Sequence, residues 1–498
     1  MKRNGKLVVA VCTALALLML AGCSFLDTIL NPSNEVEGGP DAVDTRFVDG
    51  SAYHGDGKDT HTDPDGSETD TASTDDPYRD LTESERQDLM KVYNLVVQPS
   101  GLVRIGGWGT PGAALRETDP DAFAKAFDAL SEAGFNCIVT SDEWKSPEAL
   151  AAALSAARNH KMKLWYNCGG QSGAYTVGKL KELLKSKDSD VFDATVITIP
   201  GKSGGLTAAD NTEFLQSIDE LRTGLGSDKL KMTVRLFPSY GEFLGSELLS
   251  MTYTEYVQSY MKDHGMNYAV FGYDAFLADG TDRIPGFLAN LQTVRRYGCP
   301  MYPILQCAGD GNLREPTLEE LRLSVHLSLA MGASGYFFDG VCGNADLGNT
   351  GILDTKGQRT ALYNKVKTVN AEVLGMRELY MNYTFRQVTA LNYDAAAEQL
   401  GTQATTYFGI LTDATEARNG PVIIGNFLDA KGRSAFYVVN ADTTANASVT
   451  LTVNERSLLA VWGSSCCEYV DRSNSVTIEL KPGEGKLVTA YSLTGQSN

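Results

Sequence analysis

From about Leu81 onward the chain alternates short apolar runs with longer stretches whose apolar residues recur at every third and fourth position. The short runs are Leu102 to Gly106, Cys137 to Thr140, Lys163 to Tyr166, Thr195 to Ile199, Met232 to Phe237, Ala269 to Tyr273, Met301 to Gln306 and Gly335 to Phe338, eight in all. Between them lie stretches such as Asp121 to Ala133, Pro147 to Asn159, Asn211 to Gly224, Thr254 to His264, Arg283 to Tyr297 and Thr317 to Met331. Spacing like that of Phe123, Phe127 and Leu130 turns one apolar stripe toward a neighbour, which predicts amphipathic helices packed on a sheet. Asp119-Pro120 and Ser146-Pro147 open helices, and Gly134, Gly265 and Gly298 close them just before a strand. Eight strand–helix units in about 280 residues predict an α/β fold of the (β/α)8 kind, a TIM barrel, over residues 81–384. The competing doubly wound sheet wants a phosphate-binding glycine turn after its first strand. Gly106-Gly107-Trp108-Gly109-Thr110-Pro111 instead puts a Trp and a Pro where that loop would run into its helix, which argues against nucleotide binding.

Beyond about Phe385 the apolar period falls to two. Pro421 to Phe427, Ser434 to Asn440, Ala447 to Val453, Ser475 to Leu480 and Lys486 to Tyr491 read as short strands, separated by turns such as Asp429-Ala430-Lys431-Gly432 and Pro482-Gly483-Glu484-Gly485. They predict a C-terminal antiparallel β-sandwich over residues 385–498 that braces the barrel.

At the other end, Lys2, Arg3 and Lys6 precede an apolar run from Leu7 to Leu20, too short to span a bilayer and built like a secretory signal over residues 1–22. Leu20-Ala21-Gly22-Cys23 resembles the lipobox of bacterial lipoproteins, which implies lipidation of Cys23 and a lipid bilayer as partner. Residues 23–80 then form the anchor and its stalk. Between Asn31 and Asp80 there are 14 Asp and Glu against three Lys and Arg, so this stretch carries 11 of the chain's 19 net negative charges. Such a segment has too little apolar surface to offset its ordering entropy, so it reads as a self-repelling spacer. The chain is expected to be exported and held at the cell membrane or surface, and its acidity disfavours nucleic acid as a partner.

Seven cysteines remain once Cys12 leaves with the signal and Cys23 is lipidated: Cys137, Cys168, Cys299, Cys307, Cys342, Cys466 and Cys467. An odd, scattered set is no disulfide framework, and the vicinal pair reads as structural. The five histidines form no metal-ligand pattern, so the expectation is no metal and no cofactor.

Function in such a barrel sits at the C-terminal ends of the strands and in the loops after them. Those positions hold Trp108, then Asp142, Glu143 and Trp144, then Asn167, Tyr240 and Glu242, Tyr273, Asp274 and Phe276, Gln306 and Asp310, and last Asp339. Carboxylates, amides and aromatic faces without a basic or metal-binding cluster suit sugars: rings stack on C–H faces and paired acids cleave glycosidic bonds.

Gly106 to Pro111, Leu236-Phe237-Pro238-Ser239-Tyr240, Tyr273-Asp274-Ala275-Phe276, Leu327 to Tyr336 and Leu480 to Gly485 resemble stretches of bacterial glycoside-hydrolase-like barrels of the β-galactosidase type. That resemblance implies a glycan or oligosaccharide ligand. One departure matters: where those barrels carry Asp-Glu-Pro after the fourth strand, this chain has Thr198-Ile199-Pro200, and the seventh strand ends in Gln306-Cys307 where a nucleophilic carboxylate is usual. Two readings follow. In one the chain is a glycoside hydrolase acting on extracellular glycans, with Asp274, Asp339 and Glu143 as catalytic acids and Trp108, Asp142, Trp144, Tyr240, Tyr273, Phe276, Gln306 and Asp310 lining the cleft. In the other it is a glycan-binding lipoprotein without catalysis.

Overall fold

The computed structural model describes residues 102–140, 147–167, 174–183, 185, 190–198, 207–226, 231–239, 250–266, 268–273, 283–309, 313–343, 349–401, 407–464 and 466–493. Eight parallel strands pair in chain order: β1 (Arg104–Trp108), β2 (Cys137–Val139), β3 (Lys163–Asn167), β4 (Phe192–Thr198), β5 (Lys231–Leu236), β6 (Tyr268–Tyr273), β7 (Met301–Gln306) and β8 (Gly335–Asp339). β1 bonds to β2 on one edge and to β8 on the other, with Arg104 opposite Gly335 and Trp108 opposite Asp339, so the strands run round in a ring.

The helices between them are α1 (Ala113–Thr118) and α2 (Pro120–Glu132), α3 (Pro147–Asn159), α4 (Ala174–Leu183), α5 (Ala208–Leu225), α6 (Tyr253–Gln258), α7 (Ile284–Arg295) and α8 (Leu318–Ala330), with α9 (Ala361–Leu374) after β8. Their starts follow local chemistry. Asp119 accepts from Ala122 N–H at 2.9 Å ahead of Pro120, and Thr207, Thr252 and Thr317 form reciprocal capping boxes with Asp210, Glu255 and Glu320. A turn of wider π helix, Ser259–Asp263, continues α6 to the end of the stretch that sequence periodicity marks as one helix.

Period-two alternation divides each barrel strand between two environments. Ile105, Ile138, Leu164, Tyr166, Val234, Leu236, Leu305 and Phe338 face the helices and join the large outer core. Trp108, Cys137, Val139, Trp165, Ala194, Val196, Tyr302, Ile304 and Phe337 fill the interior of the ring. Gly106 is one condition of that packing: a Cβ there would lie 2.1 Å from the Phe337 ring. At the N-terminal end of the interior, Arg104 and Asp193 pair at 3.0 Å and the Trp165 indole donates to the same carboxylate at 3.0 Å.

After α10 (Arg377–Tyr380) comes an antiparallel sheet built of β9 (Tyr383–Leu391), β10 (Leu411–Glu416), β11 (Val422–Asp429), β12 (Ser434–Asn440), β13 (Ala447–Gly463), β14 (Cys466–Leu480) and β15 (Gly485–Ser492), with α11 (Asp394–Leu400) between β9 and β10. The order across it is β10-β13-β15-β12-β11-β9, with β14 paired to β13. Register shifts along β13 between Thr452 and Ser457, and side chains from both sides of the shift, Val449 and Leu451 with Leu459 and Val461, join one core. The opposite face packs on the barrel: along β12, Phe436 and Val438 point into the sheet's own core while Ala435, Tyr437 and Val439 join the outer core of the barrel.

The joint runs along α8. Every residue from Leu321 to Ala330 is buried, because the barrel covers one side of the helix and β11, β12 and β15 approach the other. Gly425 of β11 comes so close that a Cβ would sit 2.0 Å from the Ala330 carbonyl oxygen. The buried polar residues of α8 are all engaged. Both carboxylate oxygens of Glu372, on α9, lie 2.9 Å from Arg322 Nε. His326 faces the Tyr437 hydroxyl at 2.8 Å and Glu372 at 3.2 Å, and Arg322 donates to the Pro482 carbonyl at 3.0 Å. Ser324 and Ser328 donate back to the carbonyls of Glu320 and Ser324.

Candidate functional site

At the C-terminal ends of the strands the inward register brings together residues far apart in sequence. Trp108 ends β1 beside Asp339 of β8, and Asp339 is in turn opposite Gln306 of β7. On the other side of the ring Arg235 of β5 lies between Val234 and Leu236, both turned to the helices, and opposite Thr198 of β4. Its guanidinium crosses toward β1 and β8: Cζ lies 5.3 Å from the centre of the Trp108 ring, and Nη2 is 3.3 Å from Asp339 Oδ2. The other Asp339 oxygen accepts from the Gly340 N–H at 3.1 Å.

Trp108 is 1 % exposed, edge-on to Phe337 at 6.4 Å between centroids, and its indole nitrogen is buried without an acceptor among the described residues. Arg235 Nη1 is likewise buried without an acceptor among the described residues. The Trp108 ring, the Arg235 guanidinium and the Asp339 carboxylate thus come together at the strand ends.

Gln306 shares the inward register but its amide faces a loop, donating to the carbonyls of Arg314 at 2.7 Å and Ala308 at 3.2 Å. It fixes the segment after β7. Beside it the Cys307 thiol donates to the Asp339 carbonyl, and burial, reinforced by the charges of Asp339 and Glu315, raises its pKa well above that of a free cysteine. A thiol held protonated is a packing group and no nucleophile. Asn167 ends β3 buried, with its N–H on the Thr140 hydroxyl at 2.9 Å.

Of the residues the sequence singles out, Trp108 and Asp339 are brought together, and Gln306 lies next to them with its amide committed elsewhere. Tyr273 is described as a strand position, opposite Leu305. Asp142, Glu143, Trp144, Tyr240, Glu242, Asp274, Phe276, Asp310 and Cys23 lie outside the described residues. Arg235 is the functional candidate that sequence reading passed over. Its signal is the one charge within the run Met232 to Phe237, at the parity opposite to Val234 and Leu236. Among the described residues no three His, Cys, Asp or Glu side chains gather in a way that could hold a metal ion.

No protein-family model matches the chain, and no curated protein does. Among solved structures, a GH27 β-L-arabinopyranosidase from Geobacillus stearothermophilus aligns over 81 % of this chain and 99 % of its own, with 9 % identity and a TM-score of 0.44. A glycoside hydrolase family 5 protein from Bacteroides vulgatus aligns over 79 % and 90 %, with 10 % identity and a TM-score of 0.48. A GH51 arabinofuranosidase from Xanthomonas axonopodis pv. citri aligns over 79 % and 98 %, with 10 % identity and a TM-score of 0.45. These neighbours are glycoside hydrolases, and likeness at this level does not tell one barrel chemistry from another.

Proposed function

We propose that the chain is a carbohydrate-binding barrel held outside the cell by a lipid on Cys23, with residues 31–80 as the spacer between bilayer and fold. The observation that carries the reading is the Arg235–Asp339 pair, 14 % and 21 % exposed at the strand ends above the buried Trp108 ring: a guanidinium and a carboxylate are groups that hold sugar hydroxyls. Binding is favoured over cleavage because glycoside hydrolysis takes two carboxyl groups, about 5 to 5.5 Å apart for retention or 6.5 to 9.5 Å for inversion. Among the last residues of the eight described strands Asp339 is the single acid, and both its oxygens are engaged.

The test is a glycan panel assayed for both turnover and retention on the unlipidated full chain, with Asp274→Asn and Asp339→Asn beside it. Retention without turnover is the expected result. Turnover abolished by either change makes the protein a hydrolase with those acids in the catalytic pair. A panel neither cut nor retained removes the carbohydrate reading.

A further inference from the structure

The C-terminal sheet ends on one side in an arm of three strands. The first half of β13 pairs with β10 on one edge and with β14 on the other, and among the described residues neither β10 nor β14 has a second partner strand. A strand with a bare edge presents N–H and C=O groups that template further pairing. Register tells which groups those are. Ala417 N–H donates to the Ser448 carbonyl, so Ser448 and Thr450 turn their main-chain groups toward β10, and Ala414 turns its own away from β13. Toward β14, Thr450 is then the non-hydrogen-bonded partner of Thr477, in keeping with the 2.9 Å between their hydroxyls. Ser475, Thr477 and Glu479 therefore direct their N–H and C=O groups to the open edge of β14.

Several of those edge groups are taken up by the chain's own side chains. On β10 the Ala414 N–H donates to Asp413 Oδ1 at 2.9 Å, the Ala414 carbonyl accepts from the Tyr407 hydroxyl at 3.2 Å, and the register slips between Leu411 and Asp413. On β14 the Ser475 N–H donates to Ser473 Oγ at 3.2 Å, and the Thr477 carbonyl accepts from the Tyr469 hydroxyl. Tyr469 lies eight residues back, about 27 Å along a straight strand, so it reaches Thr477 only because the ribbon bends where register shifts between Thr452 and Ser457. Burial, with Glu468, Glu479 and Asp471 nearby, holds the phenol well above its ordinary pKa, so it stays a donor. What this cap excludes follows from the sequence beneath it. Ser475-Val476-Thr477-Ile478-Glu479 is rich in β-branched residues; laid antiparallel on its own copy about Thr477, it sets Ser475 against Glu479 and Val476 against Ile478, with no like charges opposed. The Thr477 carbonyl lies at the centre of that register. We propose that Tyr469 and Ser473 form a built-in guard that keeps β14 from pairing with β14 of a second copy, so that the chain is monomeric while these contacts hold.

Sedimentation velocity of the Cys23→Ser full chain over a wide concentration range is the test, with circular dichroism and the melting midpoint to show that each variant is folded. The parent is expected to sediment as a monomer throughout. Tyr469→Phe keeps the ring and removes the hydroxyl, and combining it with Ser473→Ala also releases the Ser475 N–H. The double variant is expected to double its sedimenting mass as concentration rises, and Tyr469→Phe alone to do so at higher concentration. Thr477→Pro added to the double variant should restore the monomer, because a proline there removes an N–H that faces the open edge and costs no bond to β13. Should the proline variant fail to fold, Thr477→Lys gives the same reading, since it opposes two like charges at the centre of the register. A parent that is already dimeric, a folded double variant that stays monomeric, or a dimer unaffected by the change at Thr477 each overturns the proposal.

Discussion

Arg235 and Asp339 show what one position along a strand decides. Arg235 is the second-to-last residue of its strand and alternates with Val234 and Leu236, so the pleat points it into the ring, where only Asp339 faces its charge among the described residues. Their side chains are 14 % and 21 % exposed. Asp339→Ala therefore leaves a largely buried cation unpaired and should lower stability by about 1–3 kcal/mol, read as a shift in denaturant midpoint. Arg235→Met combined with Asp339→Leu should recover most of that loss, because it removes both charges together. The same pleat explains why Trp108 is found in the wall of the barrel although sequence reading places it in the loop after the first strand. The apolar run ends at Gly106, two glycine-rich positions hide the continuation, and β1 extends through Trp108 in the inward parity of Gly106. Arg235 was hidden for the converse reason: strand parity, and with it the inner or outer side, is fixed by neighbouring strands and not by the run of apolar residues that contains it.

At the scale of elements, the eight strands and the helices between them are legible because period two and period three-to-four differ most in long, one-sided segments. Met301–Gln306 and Pro147–Asn159 have the boundaries that the pattern predicts. α8 is a harder case, since Leu321-Arg322-Leu323-Ser324-Val325-His326-Leu327-Ser328-Leu329 alternates like a strand. Length and the Thr317–Glu320 capping box mark it as a helix, and its alternation reflects burial on all sides. β9 and β10 escape the sequence pattern. β10 reads Leu-Thr-Asp-Ala-Thr-Glu, and its Glu416 is buried because it caps the following turn, accepting from Arg418 and Gly420 N–H. β13 and β14 run well beyond the predicted strands because each pairs along nearly its whole length with the other.

Glu372 joins α9 to α8 and is held by three contacts whose balance sets a pH dependence. Burial raises its pKa, but hydrogen bonds from His326 and Arg322 outweigh burial and leave it below the ordinary carboxylate value. A depressed folded-state pKa means that the stabilisation is present above the unfolded value and is lost as pH falls through the folded one. Thermal midpoints should therefore drop on acidification below the usual Glu range. Glu372→Gln should flatten that part of the profile and lower the midpoint near neutrality, where the wild-type carboxylate would otherwise anchor Arg322.

Over the whole molecule, charge and fold are separated along the chain. Residues 31–80 carry 11 of the 19 net negative charges, in a stretch with the composition of a spacer. The tether and the fold are expected to be independent. Cys23→Ser should move the protein from the membrane fraction to the soluble one, and deletion of residues 31–80 should leave the unfolding midpoint within a degree or so of the parent, since neither change touches the packed elements. An altered midpoint in the deletion would mean that the acidic stretch packs on the body.

The order in which the sheet is assembled has a consequence for biosynthesis. β15 pairs with β12 through Ala435–Val439 and with β13 through Ser457–Trp462, so it is the seam between the two halves of the sheet, yet it is translated after all the other described strands. Until Gly485–Ser492 has left the ribosome, the strands on either side have no neighbour to join them and α8 has an uncovered flank. A nascent chain stalled before Gly485 would thus carry all eight barrel strands with an apolar side open, a natural binding point for a holding chaperone.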